Sequence, residues 1–119
     1  MSDPKPPQVT QRELDAATIA VAIEGEIDLA SIDRLRGETE RAIGGDAGQL
    51  VIDLTDCEFI DSSVLALFVD LRKRLNSTSR SRFAIVADGQ PLQVIETTQL
   101  DREIPVFSSA DDAVRAVSG

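Results

Sequence analysis

Residues 50–69 read LVIDLTDCEFIDSSVLALFV and contain the pattern that decides the fold. The first five of them form a short, mostly apolar run, which is typical of a strand buried on both faces of a sheet. After a loop over residues 55–60, Asp61 or Ser62 can cap a helix whose first two turns, residues 64–69, are apolar on nearly every side. The stretch therefore predicts a central strand followed by a helix that starts inside the protein.

The spacing of apolar residues divides the rest of the chain into strands and helices. Larger apolar residues alternate with small ones at 18–24, whereas after Gly25 they recur every three to four residues, as in an amphipathic helix. The expected elements are, in order, strands at 9–14 and 18–24, a helix that Gly44 and Gly45 end, the strand at 50–54, a helix that residues 76–79 break, a strand at 83–87, a helix at about 91–98, a strand at 104–107, and a last helix capped by Ser108 or Ser109. This alternation predicts an α/β sandwich with a mixed, mostly parallel sheet of about four or five strands and about four helices. Right-handed crossovers place successive helices on one face unless the strand order reverses.

Length and charge limit the organisation of the chain and its partners. With 119 residues it has the size of one domain, and we expect a disordered, proline-rich lead-in at 1–7 and a single domain at 8–119. The net charge of −9 repels nucleic acid and anionic lipid, so we expect protein or small-molecule partners and no nucleic acid. No apolar run approaches the roughly 20 residues that cross a bilayer, so we expect no membrane insertion and a cytoplasmic protein.

The residues present exclude several kinds of site. There is no histidine for a Ser-His-Asp triad, and Cys57, the single cysteine, builds neither a disulfide nor an ordinary zinc site, so we expect it to be an apolar filler. A phospho-aspartate receiver would need magnesium, a further acidic pair and a late lysine, but the only lysines are Lys5 and Lys73. The densest acidic cluster is Asp53, Asp56, Glu58 and Asp61. We expect it to be a solvated rim of a docking surface, and we expect no metal, no cofactor and no catalytic residue.

Two motifs resemble those of a known family. Residues 24–30 read EGEIDLA at a strand-to-helix junction, and VIDLTD at 51–56 leads to FIDSSVL at 59–65. In this order and on these elements they resemble the anti-sigma factor antagonists of the STAS family, from about residue 9 to residue 117. The resemblance implies a STAS-type sandwich without catalytic activity, in which a partner kinase phosphorylates one serine of the Asp-Ser-Ser segment. By its position in the motif that serine is Ser63, with Ser62 as the runner-up.

The resemblance also implies a cycle of binding and modification. The unphosphorylated protein binds an anti-sigma factor and frees a sigma factor, the anti-sigma factor acts as a serine kinase with ATP, and a serine phosphatase reverses the modification. The residues expected to contact the partner are Asp28, Asp61, Ser62, Ser63 and Val64. Val64 stands where the family usually has glycine, and because valine favours ordinary backbone angles and adds bulk, kinase recognition is the expectation that this change affects most.

The same residues also allow a purely structural interpretation. Ser62 and Ser63 can be helix caps only, Asp61 is better interpreted as a cap than as a catalytic base, and Asp28 can equally well cap its own helix. A phosphate on Ser63 would be tolerated at a helix N-terminus, and its charge of about −1.5 to −2 can disrupt a docked interface. The alternative functions are a STAS scaffold subunit of a lipid-transport ABC complex or stress-signalling assembly, and a small serine hydrolase, which would need a general base that the chain does not supply.

Overall fold

The apolar run at 50–54 forms the central strand of a mixed sheet, as the sequence predicts. The computed structural model of the chain describes residues 7–44, 48–76 and 82–118. The elements are β1 (Gln8–Asp15), β2 (Thr18–Ile27), α1 (Ile32–Gly44), β3 (Gln49–Asp53), β4 (Cys57–Ile60), α2 (Ser62–Asn76), β5 (Arg82–Val86), α3 (Gly89–Thr97), a 3₁₀ turn (Leu100–Arg102), β6 (Val106–Phe107) and α4 (Ala110–Ser118). The expected lead-in, except for its last residue, and the helix breaks expected at Gly45 and 77–79 lie outside the described residues.

The strands form one sheet in the order β1-β2-β3-β5-β6, with β4 paired to β2. β1 is antiparallel to β2, and the other pairs are parallel. On the edge away from β1, β2 pairs with two strands, because residues 18–22 pair with β3 and residues 25–27 pair with β4. The predicted α/β sandwich is confirmed, although the described residues form a sheet of 6 strands where four or five were expected.

Helices α1, α2 and α3 cover one face of the sheet, and α4 covers the other. The chain moves in one direction from β2 through β3 and β5 to β6, so right-handed crossovers bring the first three helices to a common face. Leu50 and Ile52 of β3 belong to the core under these helices, whereas Val51 packs with Ala113 and Val117 of α4. Burial of each such aliphatic side chain contributes about 1.5–3 kcal/mol. β3 is therefore stabilised from both faces.

The first turns of α2 are buried, as their apolar sequence predicts. Val64 and Phe68 are 0 % exposed and Leu67 is 2 % exposed. The ring of Phe68 meets that of Phe83 edge to face, with the centroids 6.4 Å apart. This packing fixes the start of α2 against the sheet.

No helix among the described residues is long and apolar enough to cross a bilayer.

Strand β4 lies where the sequence predicted a loop. Its two end residues are buried, but Glu58 and Phe59 between them are both exposed, so the segment lacks the alternation that marks a strand. Pairing with β2 holds it extended, through an irregular register between Gly25 and Glu26. Gly25 has φ +90°, a conformation that favours glycine, and its N–H donates to the carbonyl oxygen of Asp56 at 3.1 Å. The strand thus depends on a distant partner and not on its own pattern.

Two further boundaries differ from the expected ones. α3 begins at Gly89 and not at about residue 91, since the N–H of Leu92 already bonds to the carbonyl oxygen of Asp88 at 3.3 Å. β6 spans only Val106–Phe107, because Ile104 belongs to the preceding turn. Its N–H donates to the carbonyl oxygen of Leu100 at 3.0 Å. Both differences are confined to element ends.

Candidate functional site

The Asp-Ser-Ser segment, residues 61–63, lies where β4 ends and α2 begins. Ile60 pairs with Ile27, which places the segment beside the C-terminal end of β2. The side-chain amide of Gln90 in α3 binds the same backbone, since its Nε2 donates to the carbonyl oxygen of Ile60 at 3.1 Å and its Oε1 accepts from the N–H of Ile60 at 3.0 Å. β2, β4 and α3 therefore hold the segment in place. The sequence did not predict the role of Gln90.

Asp61 is the residue that caps α2. Its Oδ1 accepts hydrogen bonds from the N–H of Ser63 at 3.0 Å and from the Ser63 hydroxyl, while its Oδ2 accepts one from the N–H of Leu29 at 3.0 Å. Its carbonyl oxygen accepts from the N–H of Val64 at 3.1 Å. One carboxylate thus connects the start of α2 to residues 28–31, which we call the β2–α1 loop.

Opposing effects act on the pKa of Asp61. Partial burial raises the pKa, but hydrogen bonds from the Ser63 hydroxyl and from the backbone N–H groups of Leu29 and Ser63 lower it, and the net pKa lies below the usual aspartate value. At neutral pH Asp61 is therefore an ionised acceptor. It orients the Ser63 hydroxyl through the hydroxyl proton and leaves the lone pairs of the oxygen to accept an incoming group.

The two serines differ in their surroundings. Ser62 is exposed, whereas Ser63 is half-buried and bonded to Asp61. Both lie in the first turn of α2, where the helix dipole favours negative charge. Exposure alone favours Ser62 as the phosphate acceptor. The hydrogen bond to Asp61, which fixes the position of the Ser63 hydroxyl, favours Ser63.

The Val64 side chain lies in the core and not on the surface. It is 0 % exposed, and among the described residues Gln99 is the only non-glycine residue with a positive φ, so Val64 has ordinary backbone angles. The bulk that valine adds compared with glycine is taken up by the core. The expected contact between Val64 and a partner therefore cannot be made by its side chain.

Asp28 closes the β2–α1 loop from within. Its Oδ1 accepts from the N–H of Ser31 at 3.2 Å and from the Ser31 hydroxyl at 3.0 Å, and its own N–H donates to Oγ of Ser31 at 3.1 Å. These bonds stabilise the turn before α1, which begins at Ile32, so Asp28 does not cap the helix itself. Asp28 is also exposed, next to the residue that bonds to Asp61, so the two sequence motifs meet on one surface.

Two exposed apolar side chains flank the Asp-Ser-Ser segment. Among the described residues, the large hydrophobic side chains that are exposed are Leu29, at 74 %, and Phe59, at 40 %. The backbone N–H of Leu29 bonds to Asp61. Phe59 lies in β4, just before the segment, and pairs with Glu26 of β2. Exposed apolar residues beside polar ones are typical of protein-binding surfaces. We call Leu29, Phe59, Asp28 and residues 61–63 the docking surface.

The chain segments that build the docking surface contain no basic residue. Residues 13–33, 42–71 and 83–101 include neither lysine nor arginine. Exposed acidic side chains lie close to it in the sequence, among them Glu26 and Glu58. A phosphate on Ser63 would therefore find no cation in these segments.

The other candidate residues have structural roles. Asp53 accepts hydrogen bonds from the N–H of Thr55 at 2.9 Å and from its hydroxyl, and the described residues contain no group of three or more acidic or cysteine side chains placed to hold a metal ion. Cys57 is 5 % exposed within the core, and this burial raises the pKa of its thiol. Cys57 thus fills apolar space, as its sequence context predicts.

Comparison with known proteins gives a consistent result. The sequence model of the family described as STAS domain matches residues 7–113. The chain is 29 % identical over 116 residues to the anti-sigma-F factor antagonist RsfB of Mycobacterium tuberculosis, covering 96 % of this chain and 93 % of the relative. The crystal structure of an anti-sigma factor antagonist from Mycobacterium paratuberculosis superposes with a TM-score of 0.90 at 27 % identity, covering 100 % of both chains. The Bacillus cell fate determinant SpoIIAA in its phosphorylated form has a TM-score of 0.69 at 16 % identity, covering 92 % of this chain and 99 % of that one, and this likeness shows the fold alone.

Proposed function

Since the chain belongs to the STAS domain family, we propose that it is an anti-sigma factor antagonist controlled by phosphorylation of Ser63. In its unphosphorylated form it binds an anti-sigma factor and so releases a sigma factor in the cytoplasm. The anti-sigma factor is also the serine kinase that modifies Ser63 with ATP, and a serine phosphatase restores the binding form. The catalytic steps belong to the partners. The two mycobacterial antagonists described above support the binding role.

The observation that carries the choice of Ser63 is the hydrogen bond from its hydroxyl to Asp61 in the first turn of α2. This bond orients the acceptor oxygen before a kinase docks. The positive end of the helix dipole can tolerate the charge of the product. Ser62, one residue earlier, is exposed but lies outside this bond.

The composition of the docking surface explains how a phosphate would end binding. Leu29 and Phe59 offer apolar contact area, and the Leu29 N–H bonds to the same carboxylate as the Ser63 hydroxyl. A phosphate adds a charge of about −1.5 to −2, and a partner that covers it must remove its water of hydration. Because the surrounding segments supply no cation, this cost opposes docking without any unfolding of the domain.

The test compares wild type, Ser62→Ala and Ser63→Ala with each anti-sigma factor kinase encoded in the same genome. Phosphopeptide mass spectrometry after incubation with ATP should find phosphate in wild type and Ser62→Ala but not in Ser63→Ala. Calorimetric titration should show that phosphorylation weakens binding at least about tenfold. Phosphate mainly on Ser62 would refute the assignment, unchanged affinity after modification would refute the switch, and no binding to any of these proteins would refute the antagonist function.

A further inference from the structure

Asp61 uses its two carboxylate oxygens for two different parts of the docking surface. Oδ1 holds the N–H and hydroxyl of Ser63, and Oδ2 holds the N–H of Leu29, 32 residues away in the sequence. A carboxylate is planar and rigid, so a rotation that frees one oxygen also moves the other. We infer that phosphorylation of Ser63 displaces the Asp61 carboxylate and thereby releases the β2–α1 loop, which presents Leu29 to the partner. This inference rests on the proposed function and names the means by which the switch acts.

The chemical step removes a donor that Asp61 requires. Transfer of the γ-phosphoryl group of ATP forms a bond between Oγ of Ser63 and the γ-phosphorus and breaks the bond from that phosphorus to the β,γ-bridging oxygen, which leaves with ADP. The Oγ–H bond is also broken, and its proton is released. The ester oxygen has no hydrogen, so the hydrogen bond from Oγ to Asp61 is lost. A dianionic group then lies against an ionised carboxylate, and like charges at this distance repel each other.

The Asp61 side chain is the group that can move. It is partly exposed and can rotate towards solvent, whereas the backbone of Ser63 is fixed in α2 beside the buried Val64. Phosphate oxygens can replace the carboxylate at the N-terminus of a helix, so α2 keeps a cap. Leu29, in the neighbouring loop, loses the acceptor of its N–H.

Within the part of the chain that the structure describes, one hydrogen bond ties the β2–α1 loop to the Asp-Ser-Ser segment, and Asp61 provides it. The contacts between Asp28 and Ser31 lie within the loop, so they persist without fixing it to α2. After release, Leu29 with its 74 % exposed side chain is no longer held in one position. A partner must then order this residue on binding, which lowers affinity.

The variant Asp61→Asn separates the two roles of the carboxylate. Asparagine is a good N-cap, and its Oδ1 can still accept from the N–H and hydroxyl of Ser63. Its amide nitrogen is a donor and cannot accept from the N–H of Leu29. This variant therefore releases the loop without a charge on Ser63. Ser109→Ala is the matched control, because it removes a helix cap, the acceptor of the Asp112 N–H at 3.2 Å, on the opposite face of the sheet.

The test observes the Leu29 amide directly by NMR, in wild type, Asp61→Asn, Ser109→Ala and protein with phosphoserine installed at position 63 during translation. In Asp61→Asn and in the phosphorylated protein the exchange of this amide proton with solvent should accelerate by about tenfold or more, and in Ser109→Ala it should match wild type. The Val64 amide, which bonds to the backbone of Asp61, should stay protected in every protein and so reports an intact α2. Unchanged protection of Leu29 in the phosphorylated protein overturns the inference.

This measurement needs no partner, so its failure differs from a failure of the proposed function. If phosphorylation abolishes binding while Leu29 stays protected, the switch is real but acts without the loop. If Leu29 is released and affinity for the anti-sigma factor does not change, the coupling within the domain is supported and control of binding by phosphorylation, as proposed above, is refuted.

Discussion

Phe68 and Phe59 allow the same substitution at a buried and at an exposed position of one chain. Phe68 is 0 % exposed and packs edge to face on Phe83 at 6.4 Å. Phe68→Ala should lower the free energy of unfolding by about 3–5 kcal/mol, because it removes a fully buried ring and leaves a cavity. About 0.5–1.5 kcal/mol of this belongs to the aromatic pair. Phe59 is 40 % exposed, so water fills the space that its ring leaves, and Phe59→Ala should cost only about 1 kcal/mol.

Urea denaturation followed by circular dichroism measures both free energies. Against a typical stability of about 5–15 kcal/mol, Phe68→Ala should remove a large part of the total and lower the melting temperature by roughly 12–20 °C. Phe59→Ala should melt close to wild type and instead weaken binding to the anti-sigma factor at least about tenfold. Equal destabilisation by the two substitutions, or a Phe68→Ala variant as stable as wild type, would show that α2 does not bury the face described above.

Three further results are expected. Ser63→Asp should keep the fold but weaken anti-sigma factor binding at least about tenfold in calorimetric titrations. Added salt should restore part of this affinity, because exposed charges are screened over about 8 Å at physiological ionic strength. A variant that binds as tightly as wild type would contradict this prediction. The lowered pKa of Asp61 contributes stability that is fully present above its unfolded-state value of about 4 and is lost as the pH falls through the lower folded-state value. In acid denaturation Asp61→Asn should therefore lose less stability below about pH 4 than wild type, and identical acid profiles would be evidence against the ionised cap. The Cys57 thiol should react with an aromatic disulfide reagent only after unfolding, because it is buried and its pKa is raised, and rapid reaction of the native protein would place it at the surface.

The sequence predicted those elements whose own residues determine their environment. β3 is apolar along most of its length, and the first turns of α2 are apolar on nearly every side, so each can only lie inside the protein. β4 was not predicted, because Glu58 and Phe59 are both exposed and its extended form depends on residues 25–27. A pattern within four residues carries no information about a partner strand that lies far earlier in the sequence.

The candidate site shows the same division. The motifs locate Asp28, Asp61 and Ser63, and the structure brings the two motifs together on one surface. Gln90 could not be selected from the sequence, because its role depends on α3 lying beside the end of β4. Phe59 could have been noted as the only aromatic residue between the central strand and α2, but its exposure follows from the irregular pairing of β4 with β2.

Leu29 could not be identified as part of the proposed switch from any side-chain pattern, because its contact with Asp61 is made by a backbone N–H. Every residue except proline has this donor, so position 29 can change its side chain without losing the tie to α2. The exposed side chain is therefore free to suit a particular partner, while the carboxylate of Asp61 couples the loop to Ser63. In the proposed switch the choice of partner and the response to phosphorylation depend on different atoms, so we expect substitutions at Leu29 to alter the first without abolishing the second.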